Sequence, residues 1–131
     1  MQLTKNFHLL EFGCNDGVGV PSIYLDNVKK VANNLQVLRD ELNAPITINS
    51  AYRHTKYNKK VGGAKYSQHL TASASDITIK GFTPEEVAET ILELIKEGKI
   101  SEGGVGLYNS FVHIDIRGTR ARWNNSSKYK L

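Results

Sequence analysis

Three side chains with metal-binding chemistry recur in order along this sequence. Ser67-Gln68-His69 is followed seven positions later by Asp76, and His113 comes within Phe-Val-His-Ile-Asp-Ile-Arg, residues 111–117. Two imidazoles and a carboxylate are ligand types that hold zinc, and a catalytic zinc site uses three protein ligands and keeps a fourth position for water. A histidine and an aspartate seven apart are a weak signal by themselves. The 111–117 stretch adds strict alternation. Val112, Ile114 and Ile116 face one way, while Phe111, His113, Asp115 and Arg117 face the other. An exposed strand face and a functional site account for that pattern equally well.

Such side chains need a frame. Leu25, Val28, Ala32, Leu35, Leu38 and Leu42 recur at spacings of three and four, which predicts a helix over about 22–42. Pro21 and Ser22 are its start signals, and Asn43 and Pro45 end it. Ile46–Ser50 predicts a short strand. Residues 51–65 predict a loop with a helical turn, closing at Gly62-Gly63, and 74–79 a second strand. Thr83-Pro84-Glu85-Glu86 carries a capping box with proline at the first helical position, and opens a helix that Gly98 stops. Val105–Tyr108 and Phe111–Arg117 predict two more strands around an Asn109-Ser110 turn. Helices and strands mix without a βαβ rhythm, so the expected class is α+β.

Composition narrows the function classes. A chain of 131 residues with 40% hydrophobic and 23% charged side chains suits one folded domain, residues 1–131. The lone Cys14 excludes an intrachain disulfide framework. The opening segment lacks the basic-then-apolar pattern of a secretory signal, so a product made in the cytoplasm without a signal peptide is expected. No run is long enough to span a membrane. The net charge of +4 is concentrated in 117–131, where Arg117, Arg120, Arg122, Lys128 and Lys130 meet no acid. That basic tail suits an anionic partner, and equally a solvated, partly frayed terminus. Trp123 and Tyr129 favour docking of part of it.

The segments Ser50-Ala51-Tyr52-Arg53, Ser67-Gln68-His69, Ala74-Ser75-Asp76 and 103–117 (GGVGLYNSFVHIDIR) carry a resemblance. Together with Asn6–Phe12 and 38–48 (LRDELNAPITI), they resemble the zinc D-alanyl-D-alanine carboxypeptidase family, including its bacteriophage peptidoglycan-hydrolase branch. The similarity covers nearly the whole chain, and several ordered motifs match at once.

The resemblance implies a Hedgehog/DD-peptidase-like fold, with helices packed on a small, mainly antiparallel sheet that carries Zn2+. It implies metal ligation by His69, Asp76 and His113, a substrate carboxylate held by Arg53, and a loop-fixing role near the substrate for Ser67. The implied function is hydrolysis of a peptide bond in peptidoglycan stem peptides, as a carboxypeptidase or an endolysin-like endopeptidase. Peptidoglycan is the expected partner, with no nucleic acid, for a monomer that acts on the wall after release or within a phage particle. Where relatives carry an extra histidine or an acid near the third ligand, this chain has Phe111 and Ser110. Asp115 is therefore the expected general base, with Glu102 second. Relatives often have glycine where this chain has Ala51 and Ala72. The alternative is a non-catalytic zinc-containing binding or phage structural module, since Hedgehog relatives hold zinc without working as peptidases.

Overall fold

The computed structural model describes residues 1–131. Helix α1 spans Leu25–Leu42 and is preceded by a 3-10 turn over Ser22–Tyr24. The helical start signals at Pro21 and Ser22 thus open a tighter turn before the α-helix proper. Asn43 ends α1 in the left-handed conformation, φ 47°, which asparagine tolerates. Strand β1 is Ile46–Ser50, α2 is Thr55–Lys60 and β2 is Ala74–Ile79. Helix α3, Pro84–Lys96, begins with the expected capping box, in which Thr83 Oγ1 accepts from the Glu86 amide and Glu86 accepts from the Thr83 amide.

Strands β3 (Gly104–Leu107), β4 (Val112–Asp115) and β5 (Ala121–Asn124) complete a five-stranded sheet in the order β1-β2-β4-β3-β5. All pairs are antiparallel except β3 with β5. The expected α+β class is therefore correct. The basic segment holds more structure than a frayed tail, because β5 lies within it and hydrogen-bonds as a parallel edge strand. No helix is long and apolar enough to cross a membrane.

The core lies between the helices and one sheet face. Val28, Val31, Ala32, Leu35 and Leu38 of α1 meet Val87, Ala88, Ile91 and Leu94 of α3 and the inward residues Ile77, Val105, Leu107, Val112 and Ile114. This apolar burial is the main stabilising term of the fold. It also fixes the strand register, since a slip of one residue would turn every side chain of β4 to the opposite face. The exposed-face explanation for β4 fails. The strand is central, and His113 and Asp115 are as buried as Val112 and Ile114.

Candidate active site

Register brings two of the three expected ligands together directly. Asp76 on β2 lies opposite His113 on β4. His69 arrives from outside the sheet, on a 3-10 turn over Gln68–Thr71. Ser67 caps that turn, its hydroxyl accepting from the His69 amide at 3.2 Å. The turn ends at Ala72, φ 55°. This position, where relatives often have glycine, takes the left-handed backbone that glycine adopts without strain, and alanine here accepts it.

The three functional atoms converge. His69 Nε2 lies 3.2 Å from Asp76 Oδ1, and His113 Nδ1 lies 3.1 Å from the same oxygen. Each imidazole is held from behind. His69 Nδ1 donates to the Ala51 carbonyl at 2.6 Å, and His113 Nε2 donates to Asp115 Oδ2 at 2.7 Å. A neutral imidazole carries one N–H, so both rings turn unprotonated nitrogens toward Asp76 Oδ1. Three acceptor atoms facing one another in a buried place repel unless a cation lies among them. Two imidazole nitrogens and a carboxylate oxygen are a zinc-type donor set, and hydrogen bonds to the outer nitrogens are the usual support of metal-binding histidines. The residues present therefore fit the metal.

Charge in the site follows the same arrangement. Burial opposes ionisation of Asp76, but its close contacts with the His113 and His69 rings outweigh it and hold the carboxyl well below the usual carboxylate range. Burial likewise disfavours a charged His113, but its bonds to Asp115 and Asp76 outweigh that and raise its pKa.

Arg53 holds the second oxygen of Asp76, its Nη2 donating to Oδ2 at 3.3 Å. Its Nε donates to Ser50 and its Nη1 to Asn58. The arginine thus turns one Asp76 oxygen away and leaves the other for the histidine pair. One further N–H on each terminal nitrogen of Arg53 has no acceptor in the protein. The site floors a cleft of about 410 Å3, whose rim includes Gly62, Gly63, Tyr66, Ser67, Tyr108, Phe111, Arg117 and Trp123. A groove of about 460 Å3 between α1 and α3 contains none of these residues and is lined by Glu41, Glu86, Glu89 and Glu93.

A family model described as Peptidase M15 matches residues 5–115. The chain belongs to the peptidase M15 family. No curated protein matches it. M15 members are zinc peptidases of the D-Ala-D-Ala carboxypeptidase type, and the His69, Asp76 and His113 cluster of this M15 chain is a group that could bind such a metal.

Both acids expected as candidate bases are engaged with other partners in this structure. Asp115 is fully buried and fully occupied: Arg117 Nη2 and His113 Nε2 each donate to Oδ2 at 2.7 Å, the Gly104 amide donates to Oδ1 at 2.8 Å, and the Arg117 amide and Nε donate as well. It contacts the outer nitrogen of His113, on the ring edge opposite Asp76. Glu102 pairs with Arg122 at 2.8 Å, a bond that lowers its pKa, and lies outside the cleft lining.

Two residues beyond the matched span line the cleft, Arg117 and Trp123. Trp123 on β5 lies with its ring centre 5.0 Å from that of His113 and 5.3 Å from the Arg117 guanidinium carbon. The place is made by Gly106, where an added Cβ would come within 2.3 Å of the indole. Gly106→Ala is expected to push the ring aside and destabilise the protein by about 1–3 kcal/mol. Trp123 is the single tryptophan, so a red shift in its emission, read beside urea unfolding, checks this. Unchanged emission and stability would contradict the packing.

Cys14, Asp16 and His54 form a second group with ligand-type atoms close together. Here the hydrogen bonding points the other way. The Tyr57 amide donates to His54 Nδ1, so Nε2 carries the proton and donates to Asp16. The imidazole thus has no free lone pair directed at the group, which works as a clamp between the 13–18 loop and α2. The His54 bond is the main cause that brings the Asp16 pKa down to about 2, helped by Cys14. A depressed carboxyl contributes stability above its unfolded pKa and loses it as pH falls through the folded value. In His54→Ala the Asp16 pKa is expected to return toward 3.8, which carboxyl NMR titration would read. A value still near 2 would refute the clamp.

Proposed function

We propose that this M15 chain is a zinc-dependent peptidase that cuts a peptide bond in the stem peptides of bacterial peptidoglycan. The observation that carries the reading is the convergence of His69 Nε2, His113 Nδ1 and Asp76 Oδ1 on one point in the floor of a cleft. Zinc held there would acidify a water molecule and polarise the scissile carbonyl.

The chain's own residues then have distinct tasks. The Ala51 carbonyl and Asp115 hold the two histidines in one tautomer and orientation. Asp115 is a positioning residue in this reading and not the base. Ser67 fixes the turn that presents His69. Arg53 keeps Asp76 in place and offers its two remaining N–H groups to a substrate carboxylate, a planar pairing suited to guanidinium. Apart from Asp76, no carboxylate lines the cleft. That inventory also keeps the non-catalytic zinc module as the second reading.

The test uses purified protein, zinc-loaded and chelator-stripped, on stem pentapeptides and on cross-linked dimers, with products read by mass spectrometry. D-Alanine release identifies a carboxypeptidase, and dimer cleavage an endopeptidase. Both should stop on chelation and return with zinc. One bound zinc per chain with no product from either substrate would leave the binding module. Hydrolysis that survives chelation would overturn the metallopeptidase reading.

A further inference from the structure

The geometry points to Tyr108 as a catalytic residue: its hydroxyl, oriented by Trp123, donates a hydrogen bond to the scissile carbonyl oxygen as negative charge develops there. This rests on the peptidase reading and adds to it a second donor in the cleft that Arg53 also lines.

Tyr108 follows Gly106 by two positions, and Gly106 pairs with His113. Tyr108 therefore projects from the same sheet face as His113, about 7 Å further along β3. Two contacts fix its phenol ring. Phe111 stacks on it with ring centres 4.2 Å apart and planes 11° from parallel. Trp123 Nε1 donates to its oxygen at 3.0 Å. An indole N–H only donates, so Tyr108 is the acceptor in that bond and its own proton remains free. No acceptor for that proton exists in the protein, although Tyr108 lines the cleft.

The rest of the cleft offers little competition. The Nε and Nη2 groups of Arg117 are committed to Asp115, whereas the Ser67 hydroxyl accepts from the His69 amide and keeps its own proton, held at the turn that carries His69 and not by an aromatic wall. The Gln68 side chain is uncommitted, but no hydrogen bond holds it in one orientation, and Tyr66 is 83% exposed. Stabilising a developing oxyanion needs a donor whose direction is set beforehand, since reorganisation during the reaction forfeits most of the gain. Tyr108 meets that condition through both the Trp123 bond and the Phe111 stack. The phenol keeps its proton throughout, and no bond to Tyr108 forms or breaks. Trp123 is a positioning residue that turns the oxygen lone pair inward and the O–H outward.

The experiment compares zinc-loaded wild type with Tyr108→Phe, Trp123→Phe and Gln68→Ala on the stem peptide that the wild type cleaves. It also measures affinity for a phosphinate analogue of the scissile bond. Tyr108→Phe is expected to lower kcat by about 100-fold while KM and zinc content stay within about twofold. Phosphinate affinity should fall by a comparable factor, because the analogue places an anionic oxygen where the phenol donates. Trp123→Phe should lower kcat less, again without raising KM. A Tyr108→Phe kcat within about threefold of wild type, or an equal loss in Gln68→Ala, overturns the assignment. A wild type that cleaves nothing overturns the peptidase reading and this inference together. An active wild type matched by Tyr108→Phe overturns this inference alone.

Discussion

Asp76→Ala is expected to abolish zinc binding and to lower hydrolysis by at least about 1000-fold, the several kcal/mol a metal contributes to a transition state. Asp76 Oδ1 is the one atom shared by both histidines, at 3.2 and 3.1 Å. It is also the only anionic ligand of the three. Removing it leaves two neutral nitrogens and strips Arg53 of its carboxylate partner. A positive guanidinium then stands beside the point where a cation should sit, which works against metal binding further. Zinc content by mass spectrometry under native conditions checks the first effect, and stem-peptide hydrolysis the second. His54→Ala serves as the comparison and should keep one zinc per chain, because the His54 cluster is hydrogen-bonded against metal. Equal zinc in wild type and Asp76→Ala would place the metal elsewhere.

Asp115→Asn separates two tasks that spacing along β4 leaves equivalent. As the group behind His113, Asp115 should affect metal affinity first. Changes at such outer partners weaken metal binding or activity by about 10–100-fold, and excess zinc should restore most of the turnover. A general base would give the opposite pattern, with full zinc affinity and a collapsed kcat that zinc does not rescue. The shorter Asp115→Ala adds a folding cost. Its carboxylate is fully buried and joins Arg117, the Gly104 amide and His113. Breaking a buried pair of this kind costs about 3–5 kcal/mol, measurable as a lower urea midpoint in the zinc-free protein. The pH dependence has a definite sign. Burial opposes the Asp115 charge, but bonds from His113 and Arg117 outweigh it and lower its pKa below the ordinary 3.8. The stabilisation is therefore present above pH 4 or so and lost as pH falls further.

Much of the frame could be read from residue order because its cues are local. The period of α1, the capping box at Thr83 and the alternation of 111–117 each lie within one element, and each marks a structure that forms. The α1 start shifts by a turn because Ser22–Tyr24 adopts 3-10 geometry instead. What stayed hidden depends on partners far away in sequence. Ala121-Arg122-Trp123-Asn124 has one apolar ring and a charge, and becomes a strand only because β3 offers it a parallel edge. Trp123 reaches the site through that pairing, and the glycine that admits it, Gly106, is silent until the register is known. The His69, Asp76 and His113 group was legible as residue types. The contacts of Asp115 were not, since a shared strand face does not say which nitrogen of His113 the carboxylate meets. The left-handed Ala72 was also unreadable, because alanine gives no sign of a positive φ.

Anomalous scattering recorded on either side of the zinc edge, from crystals grown with stoichiometric zinc, tests the central claim most directly. One peak per chain is predicted, bonded to His69 Nε2, Asp76 Oδ1 and His113 Nδ1, with a further coordination position open to the cleft. A peak at Cys14, Asp16 and His54, ligation of the metal by Asp115, or no peak at all would contradict the account.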